Sequence, residues 1–346
     1  MSLSRIAISL GISITTVSRA LGGFSDVSMA TRARVEAEAK RIGYRPNQGA
    51  RRLRLGRADA VGLILPTGIG EFDDPFFLRL LSAIGPALAE AGLDLLVSAA
   101  PPGEPELQAY RHMVESKRVD GFLLARTRAD DPRVAYLQET ATPFVAHGRS
   151  QTAAPFAHVD TDGRAAVAEA TARLTGFGHR RIGFLSASGG LNFALHREAG
   201  WRDEMARQGL PADLFTTADA TEAGGFEAMH ALLRDGSDIT ALITATDRMA
   251  VGALHALAET GLRAGRDLSL IGFDNHRFTA HTDPPLTTIS QPIELAGEKM
   301  VAMLLALLGG AEASGLSDIL PATLIPRASD GPVHNQAASS SRVTNS

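Results

Sequence analysis

The sequence predicts an α/β protein: a small all-α headpiece followed by two parallel-sheet subdomains. Three observations carry this. From Ala60 onward apolar strands alternate with amphipathic helices: "AVGLILP", "PFFLRLLSAIGPALAEAG", "LDLLVSA", "DGFLLAR", then "RIGFLS", "TALIT" and "LSLIGFD". Runs that are apolar on both faces and separated by helices make parallel sheets covered on both sides. About eight such strands precede residue 290, more than a single five-stranded α/β unit needs. Finally, the first 57 residues show only short helical patterns and are strongly basic.

Three short helices account for that first segment. The first spans about Leu3–Leu10, with Ile6, Ala7 and Leu10 on one face, and Gly11 turns the chain. The second runs from Ile14 to Leu21 after Ser13 as N-cap, with Val17, Ala20 and Leu21 inward. The third starts at about Met29, capped by Ser28, and runs to Ile42 before a Gly43 stop. Two short helices across a glycine turn, braced by a third, form a helix-turn-helix. "YRPNQGARRLRLGR" follows, where Pro46 breaks the chain and Asn47 can cap a short helix of about Gln48–Arg54. Such a helix has little to bury and is expected to be disordered alone.

In the body the chain is expected to cross between subdomains near Asp160, Gln291 and Leu316. The expected parts are a headpiece (1–46), a hinge helix or linker (47–58) and a body (59–329). Its N-subdomain comprises about 59–160 and 292–316, its C-subdomain about 161–291 and 317–329. Residues 330–346 are polar and aperiodic, the pattern of a disordered tail.

Charge separates these parts. Residues 1–57 hold 11 Lys+Arg against 3 acids, and the remainder holds 23 against 35. A basic arm on an acidic body points to a polyanion for the arm alone. With 45% hydrophobic and 21% charged residues the composition is that of an ordinary globular protein. No apolar run reaches membrane-helix length, and no signal peptide is expected. The absence of cysteine excludes disulfides and thiolate metal sites and fits a reducing cytoplasm, the expected location.

Enzyme signatures are weak. "TGIGEFDD" supplies Gly68 and Gly70 after a strand but lacks the third glycine of a dinucleotide loop. There is no phosphate-binding loop, no nucleophile elbow and no HExxH. His276 and His281 lie in a loop without a third ligand in view, so no metal and no cofactor is expected.

Read together, "TTVSRAL", "VS", "TRARV" and "GYRPN" resemble the DNA-binding headpiece and hinge of the LacI/GalR family of transcriptional regulators. The likeness continues through "DPFF", "VDGFLLA", "HVDTDG", "HRRIGFLS", "REAGW", "TATDRMAVGAL", "IGFDN" and "PPLTTISQP", covering residues 3–329. It implies two Rossmann-like, periplasmic-binding-protein-like subdomains behind the headpiece. It makes the second helix a major-groove recognition helix. Ile14, Thr15 and Arg19 match base-reading positions; Thr16, Ser18, Ser28 and Asn47 match phosphate contacts. Leu53, with Ala50 beside it, matches the leucine that the family's paired hinge helices push into the minor groove. Gly49 departs from the more usual valine or alanine and costs a helix about 1 kcal/mol. Arg5 stands where the family often has an acid.

The resemblance also implies an effector site between the subdomains, at the carboxyl ends of the strands. Candidates there are Asp74, Phe76, Phe77, His147, Arg149, Asp160, Asn192, Phe193, Arg197, Thr246, Asp247, Phe273 and Asp274. Arg197, Asp247 and Asp274 match the family's ligand-binding positions most directly. Each has a structural alternative: Asp247 as an N-cap, Phe76 or Phe77 as core, Arg197 in an ion pair. His158 and Trp201 read as structural. The mixed signs favour a neutral sugar, a mono- or disaccharide, over a sugar phosphate, and "AHGR" followed by "LNFALHR" resembles family members that serve oligosaccharide uptake, such as that of α-glucosides.

The function expected is a homodimeric repressor on a pseudo-palindromic DNA operator, allosterically released by the sugar, with no membrane partner. Corepression uses the same fold. No C-terminal leucine heptads follow the body, so no coiled-coil tetramer is expected. A periplasmic sugar-binding protein would share only the body and need a signal peptide. A Rossmann-like sugar enzyme would need a cofactor loop or catalytic set.

Overall fold

The computed structural model describes residues 3–22, 24, 26–44, 57–68, 74–152 and 154–333. It divides into two units, Met1–Asp59 and Ala60–Ser346.

The first unit holds α1 (Leu3–Leu10), α2 (Ile14–Leu21) and α3 (Met29–Arg41). Ser13 caps α2 by accepting from the Thr16 amide, and Ser28 caps α3 by accepting from the Thr31 amide. Gly11 turns the chain at φ 65°, a left-handed conformation that a side chain resists. Ile6, Ala7, Val17, Ala20, Val27, Val35 and Ala39 form the core, with Leu3, Leu10, Ile12, Leu21, Ile42 and Tyr44 packed around it. Eight-residue helices are marginal alone; this shared apolar face holds them.

The second unit contains two six-stranded sheets. Its strands are β1 (Ala60–Pro66), β2 (Asp94–Ala100), β3 (Gly121–Ala125), β4 (Phe144–His147), β5 (Ala157–Thr161), β6 (Ile182–Ala187), β7 (Phe215–Ala218), β8 (Ala241–Thr244), β9 (Ser269–Phe273), β10 (Thr287–Ser290), β11 (Ser317–Leu320) and β12 (Thr323–Ile325). Its helices are α4 (Pro75–Glu90), α5 (Glu104–Glu115), α6 (Pro132–Glu139), α7 (Gly163–Gly176), α8 (Asn192–Arg207), α9 (Glu222–Arg234), α10 (Asp247–Glu259) and α11 (Ile293–Leu308). No described helix is long and apolar enough to cross a membrane.

The first sheet has the order β11-β5-β4-β3-β1-β2 and is wholly parallel. The second has the order β12-β10-β9-β8-β6-β7 and is parallel except for β12. In both, the strand order reverses beside the first strand of the subdomain, between β1 and β3 and between β6 and β8. That is where α/β sheets open a crevice at their carboxyl ends. Among the described residues ten strands precede residue 291, where the sequence predicts about eight. "FTTA" of β7 and "TTIS" of β10 are short and threonine-rich, too polar to read as buried strands.

The chain passes from the first sheet to the second after β5 and returns after β10, where α11 packs on the first sheet's core. The third passage differs from the expected one near Leu316. Ser317–Leu320 still pairs with β5, so the chain crosses only between Leu320 and Thr323. The tail also begins later than residue 330. Asp330 accepts from Arg173 at 2.6 Å and from the Thr287 hydroxyl, and the Gly331 carbonyl lies 2.9 Å from the His179 ring. A buried aspartate with two partners anchors the chain as far as Val333; residues 334–346 lie outside the description. Asp330→Ala is expected to destabilise the body by about 2 kcal/mol, the worth of a hydrogen bond to a charged group. The urea midpoint of unfolding measures it; an unchanged midpoint contradicts the anchor.

The second sheet's core is built around Trp201, wholly buried between Phe184 and Phe215 with ring centroids 5.8 and 6.3 Å away. Trp201 is structural, as its sequence context suggests. Its indole N–H donates to the Ile182 carbonyl, which ties α8 to β6 and so fixes the helix that carries Phe193 and Arg197.

Candidate functional site

In the headpiece, α2 presents Ile14 and Thr15 to solvent, with Ile14 50% exposed. Thr16, Ser18 and Arg19 follow along the half-buried flank, while Val17 and Ala20 face the core. The Thr16 hydroxyl lies 2.8 Å from that of Ser13. Ser28 is exposed and occupied as a cap. Arg19 reaches Asp26 at 2.6 Å and stacks over Phe24, 5.0 Å from the ring centroid. Asn47, Gly49, Ala50 and Leu53 lie outside the described residues.

In the body, a cavity opens where the carboxyl ends of both sheets meet. Of the candidates named from sequence, Asp74, Phe76, His147, Asp160, Phe193, Arg197, Thr246 and Asp274 line it. The topology accounts for this. Asp74 opens α4 after β1, His147 ends β4, Asp160 lies in β5, Thr246 precedes α10 after β8, and Asp274 follows β9.

The charges in and beside this wall come in opposite pairs. Arg126 donates to Asp74, which also accepts from the Phe76 amide as the N-cap of α4. Arg149 donates to Asp160 at 2.6 Å. Arg197 lies 3.7 Å from Asp274, which also accepts from the Gln291 amide and lies 3.8 Å from the His276 ring. Arg197 is clamped by aromatic rings, its guanidinium 3.4 Å from the Phe273 centroid and 4.5 Å from that of Phe193. It also donates to the Ala245 carbonyl. Burial pushes its acidity up, bringing its pKa down to about 10 despite the acids nearby. Burial likewise raises the Asp274 carboxyl and lowers the His147 imidazole. His147 packs against Phe76 with ring centroids 5.3 Å apart and has an unpaired Nε2. Phe76 and Phe193 thus supply apolar faces beside polar groups.

Other candidates fall behind the wall. Phe77 is 3% exposed in the first core, beneath Arg126. Phe273 is wholly buried as the floor under Arg197. Asp247 is wholly buried too. Its carboxylate accepts from the His276 amide and the Thr288 hydroxyl, so the residue braces the loop after β9. The N-cap of α10 is Thr246, not Asp247. Asn192 turns its amide to the Arg149 carbonyl, 2.8 Å away. Arg149 is half-buried beside the cavity, through Asp160.

The sequence reading omits Arg126, Thr127, Gly148, Thr161, Gly163, His196 and Gln291, which also line the cavity. Strand ends carry the available signal. Arg126 and Thr127 directly follow "GFLLA", Gly148 follows "FVAH", and Gln291 follows "TTIS".

A helix-turn-helix unit on a chain whose two-sheet body encloses a strand-end cavity defines a class: DNA-binding transcriptional regulators with a binding-protein-like body. Residues 2–47 match the family model of bacterial regulatory proteins, lacI family, and residues 171–329 match a periplasmic binding protein-like domain. The HTH-type transcriptional regulator RafR of Escherichia coli is 37% identical over 318 residues, spanning 91% of this chain and 94% of that protein. The chain belongs to the lacI family of bacterial regulatory proteins. Solved structures agree. The transcriptional regulator CelR–cellobiose complex is 30% identical with a TM-score of 0.74, covering 95% of this chain and 99% of that one. The lac repressor dimer bound to operator and the anti-inducer ONPF is 26% identical with a TM-score of 0.83, covering 96% and 99%.

Proposed function

We propose that this regulator is a cytoplasmic, homodimeric repressor of a pseudo-palindromic operator, controlled by a neutral mono- or disaccharide in the body cavity. In this reading residues 1–46 read DNA, 47–58 form the hinge and the body senses the sugar. Ile14, Thr15 and Arg19 contact bases; Thr16, Ser18, Ser28 and Asn47 contact phosphates; Ala50 and Leu53 enter the minor groove.

The observation that carries the effector class is the charge balance of the cavity. Arg126 with Asp74, Arg149 with Asp160 and Arg197 with Asp274 leave no surplus base for a phosphate. The same groups offer donors and acceptors to adjacent hydroxyls, while Phe76 and Phe193 cover C–H faces. The solved CelR relative is a complex with cellobiose, a neutral disaccharide. Two-fold symmetry fits a repeated headpiece to a two-fold operator, and the lac repressor relative is a dimer on its operator. Sugar release of the operator is the direction we favour, with a coupling of about 1–3 kcal/mol.

Calorimetry with a panel of neutral mono- and disaccharides and their phosphates tests the effector class. At least one neutral sugar is expected to bind, with the phosphates inert. Binding of a phosphosugar with every neutral sugar inert overturns it.

A further inference from the structure

We infer that a short backbone ladder between Thr127–Ala129 and Gly190–Asn192, clamped by the Asn192 side chain, is the latch that holds the two subdomains closed over the cavity. That the cavity takes an effector rests on the reading above; the latch itself does not need the effector to be identified.

The ladder joins two loops that belong to different sheets. Thr127–Ala129 follows β3 in the first, and Gly190–Asn192 lies between β6 and α8 in the second. Arg128 and Leu191 pair as an antiparallel bridge. The Asn192 amide N–H donates to the Thr127 carbonyl at 2.8 Å, and Ala129 N–H donates to the Gly190 carbonyl at 3.4 Å. The Asn192 side chain then reaches the Arg149 carbonyl, which also accepts from the Thr127 hydroxyl at 2.6 Å. Asn192 opens α8 yet spends no side-chain bond on the helix end: the N-cap position is Leu191 and carries none. Its polar groups are committed across the cleft instead.

Position makes this pairing a latch. The chain crosses between subdomains beside β5, after β10 and between β11 and β12. In the first sheet β3 lies two strands from β5, and in the second β6 lies three strands from β10. At about 4.8 Å per strand the ladder sits roughly 10–15 Å from the crossovers. The cavity lies between: Thr161 and Gln291 line it near the crossovers, Thr127 and Phe193 near the ladder. A rotation about the crossovers therefore has to part the ladder first. Its groups exchange protein partners for water when parted, which keeps the latch reversible. Asn192 also begins the helix carrying Phe193, His196 and Arg197, so closing the latch seats those side chains. Asn192 is thus a positioning residue.

The chain has no cysteine, so a cross-link can report closure directly. Antiparallel bridge partners have Cα atoms about 4.5–5.5 Å apart, within disulfide reach. The full-length double variant Arg128→Cys/Leu191→Cys, without sugar, is expected to cross-link readily in oxidised glutathione. Adding Asn192→Ala is expected to slow cross-linking about tenfold, as loss of one net hydrogen bond supplies. Equal rates with and without Asn192 overturn the latch. Should the double variant not fold, amide exchange in Asn192→Ala alone decides. The Ala129 amide is expected to exchange about tenfold faster with β3 and β6 unchanged, and unaltered exchange at Ala129 overturns the proposal. If no sugar binds while cross-linking follows the expected pattern, the latch stands and the sugar reading fails.

Discussion

Arg197→Ala is expected to lower sugar affinity by two to three orders of magnitude while operator affinity in the absence of sugar stays within a few-fold. The guanidinium is buried between Phe193 and Phe273 and faces Asp274. Truncation empties the slot between the rings and leaves Asp274 buried without its cation. Breaking a buried pair from one side costs about 3–5 kcal/mol. Part of that cost falls on the fold, so the thermal midpoint drops as well. Arg197→Lys keeps the charge but loses the planar stack and the fork of donors, and is expected to fall between. Calorimetry gives the affinity and anisotropy on DNA the operator binding. The headpiece is a separate unit, which is why operator binding survives. Leu53→Ala is expected to show the reverse pattern. Equal damage by both variants to the same assay contradicts the division of labour.

Arg19→Ala is expected to weaken operator binding by about 1–3 kcal/mol per half-site and to relax specificity at one base pair. Two half-sites double the loss to about 2–6 kcal/mol on the dimer. In the structure Arg19 already pairs with Asp26, their side chains 44% and 52% exposed. An exposed pair of this kind contributes about 0–1 kcal/mol, so a base can displace it at little cost. Asp26→Asn, which frees the guanidinium, is expected to tighten binding by up to about 1 kcal/mol. Anisotropy on an operator and on variants with single base pairs changed reads both effects. An Arg19→Ala protein that still discriminates at every position contradicts the assignment.

The headpiece was legible because its signals are local. Ser13 and Ser28 bond to amides three residues on, Gly11 needs only its own φ, and the apolar spacing of Val17 and Ala20 sets the buried face. The parallel sheets were legible from "AVGLILP" and "LSLIGFD", which are apolar on both faces. Strands such as β7 and β10 were not: the threonines of β10 are buried by neighbours that the local pattern does not show, and β7 is a short, half-exposed edge strand. The cavity was legible as a region and less so as a list of residues. Asp247 and Asp274 both stand at strand ends, yet Asp247 turns inward to Thr288 and the His276 amide, whereas Asp274 reaches the wall. Arg126 meets Asp74 across 52 positions of sequence, a partnership set by β1 and β3 lying side by side. Asn192 was named with Phe193 and Arg197 as an effector contact; its orientation toward the Arg149 carbonyl depends on the other subdomain.

The central claim is that a neutral sugar in the body governs DNA binding by the headpiece. Fluorescence anisotropy of the purified chain on DNA from upstream of its own gene, at several salt concentrations and with the saccharide panel, tests it most directly. The account predicts tight, salt-dependent binding that one neutral sugar weakens about tenfold or more. Specific binding that no neutral sugar alters, but that a phosphorylated or other anionic ligand does, would contradict it.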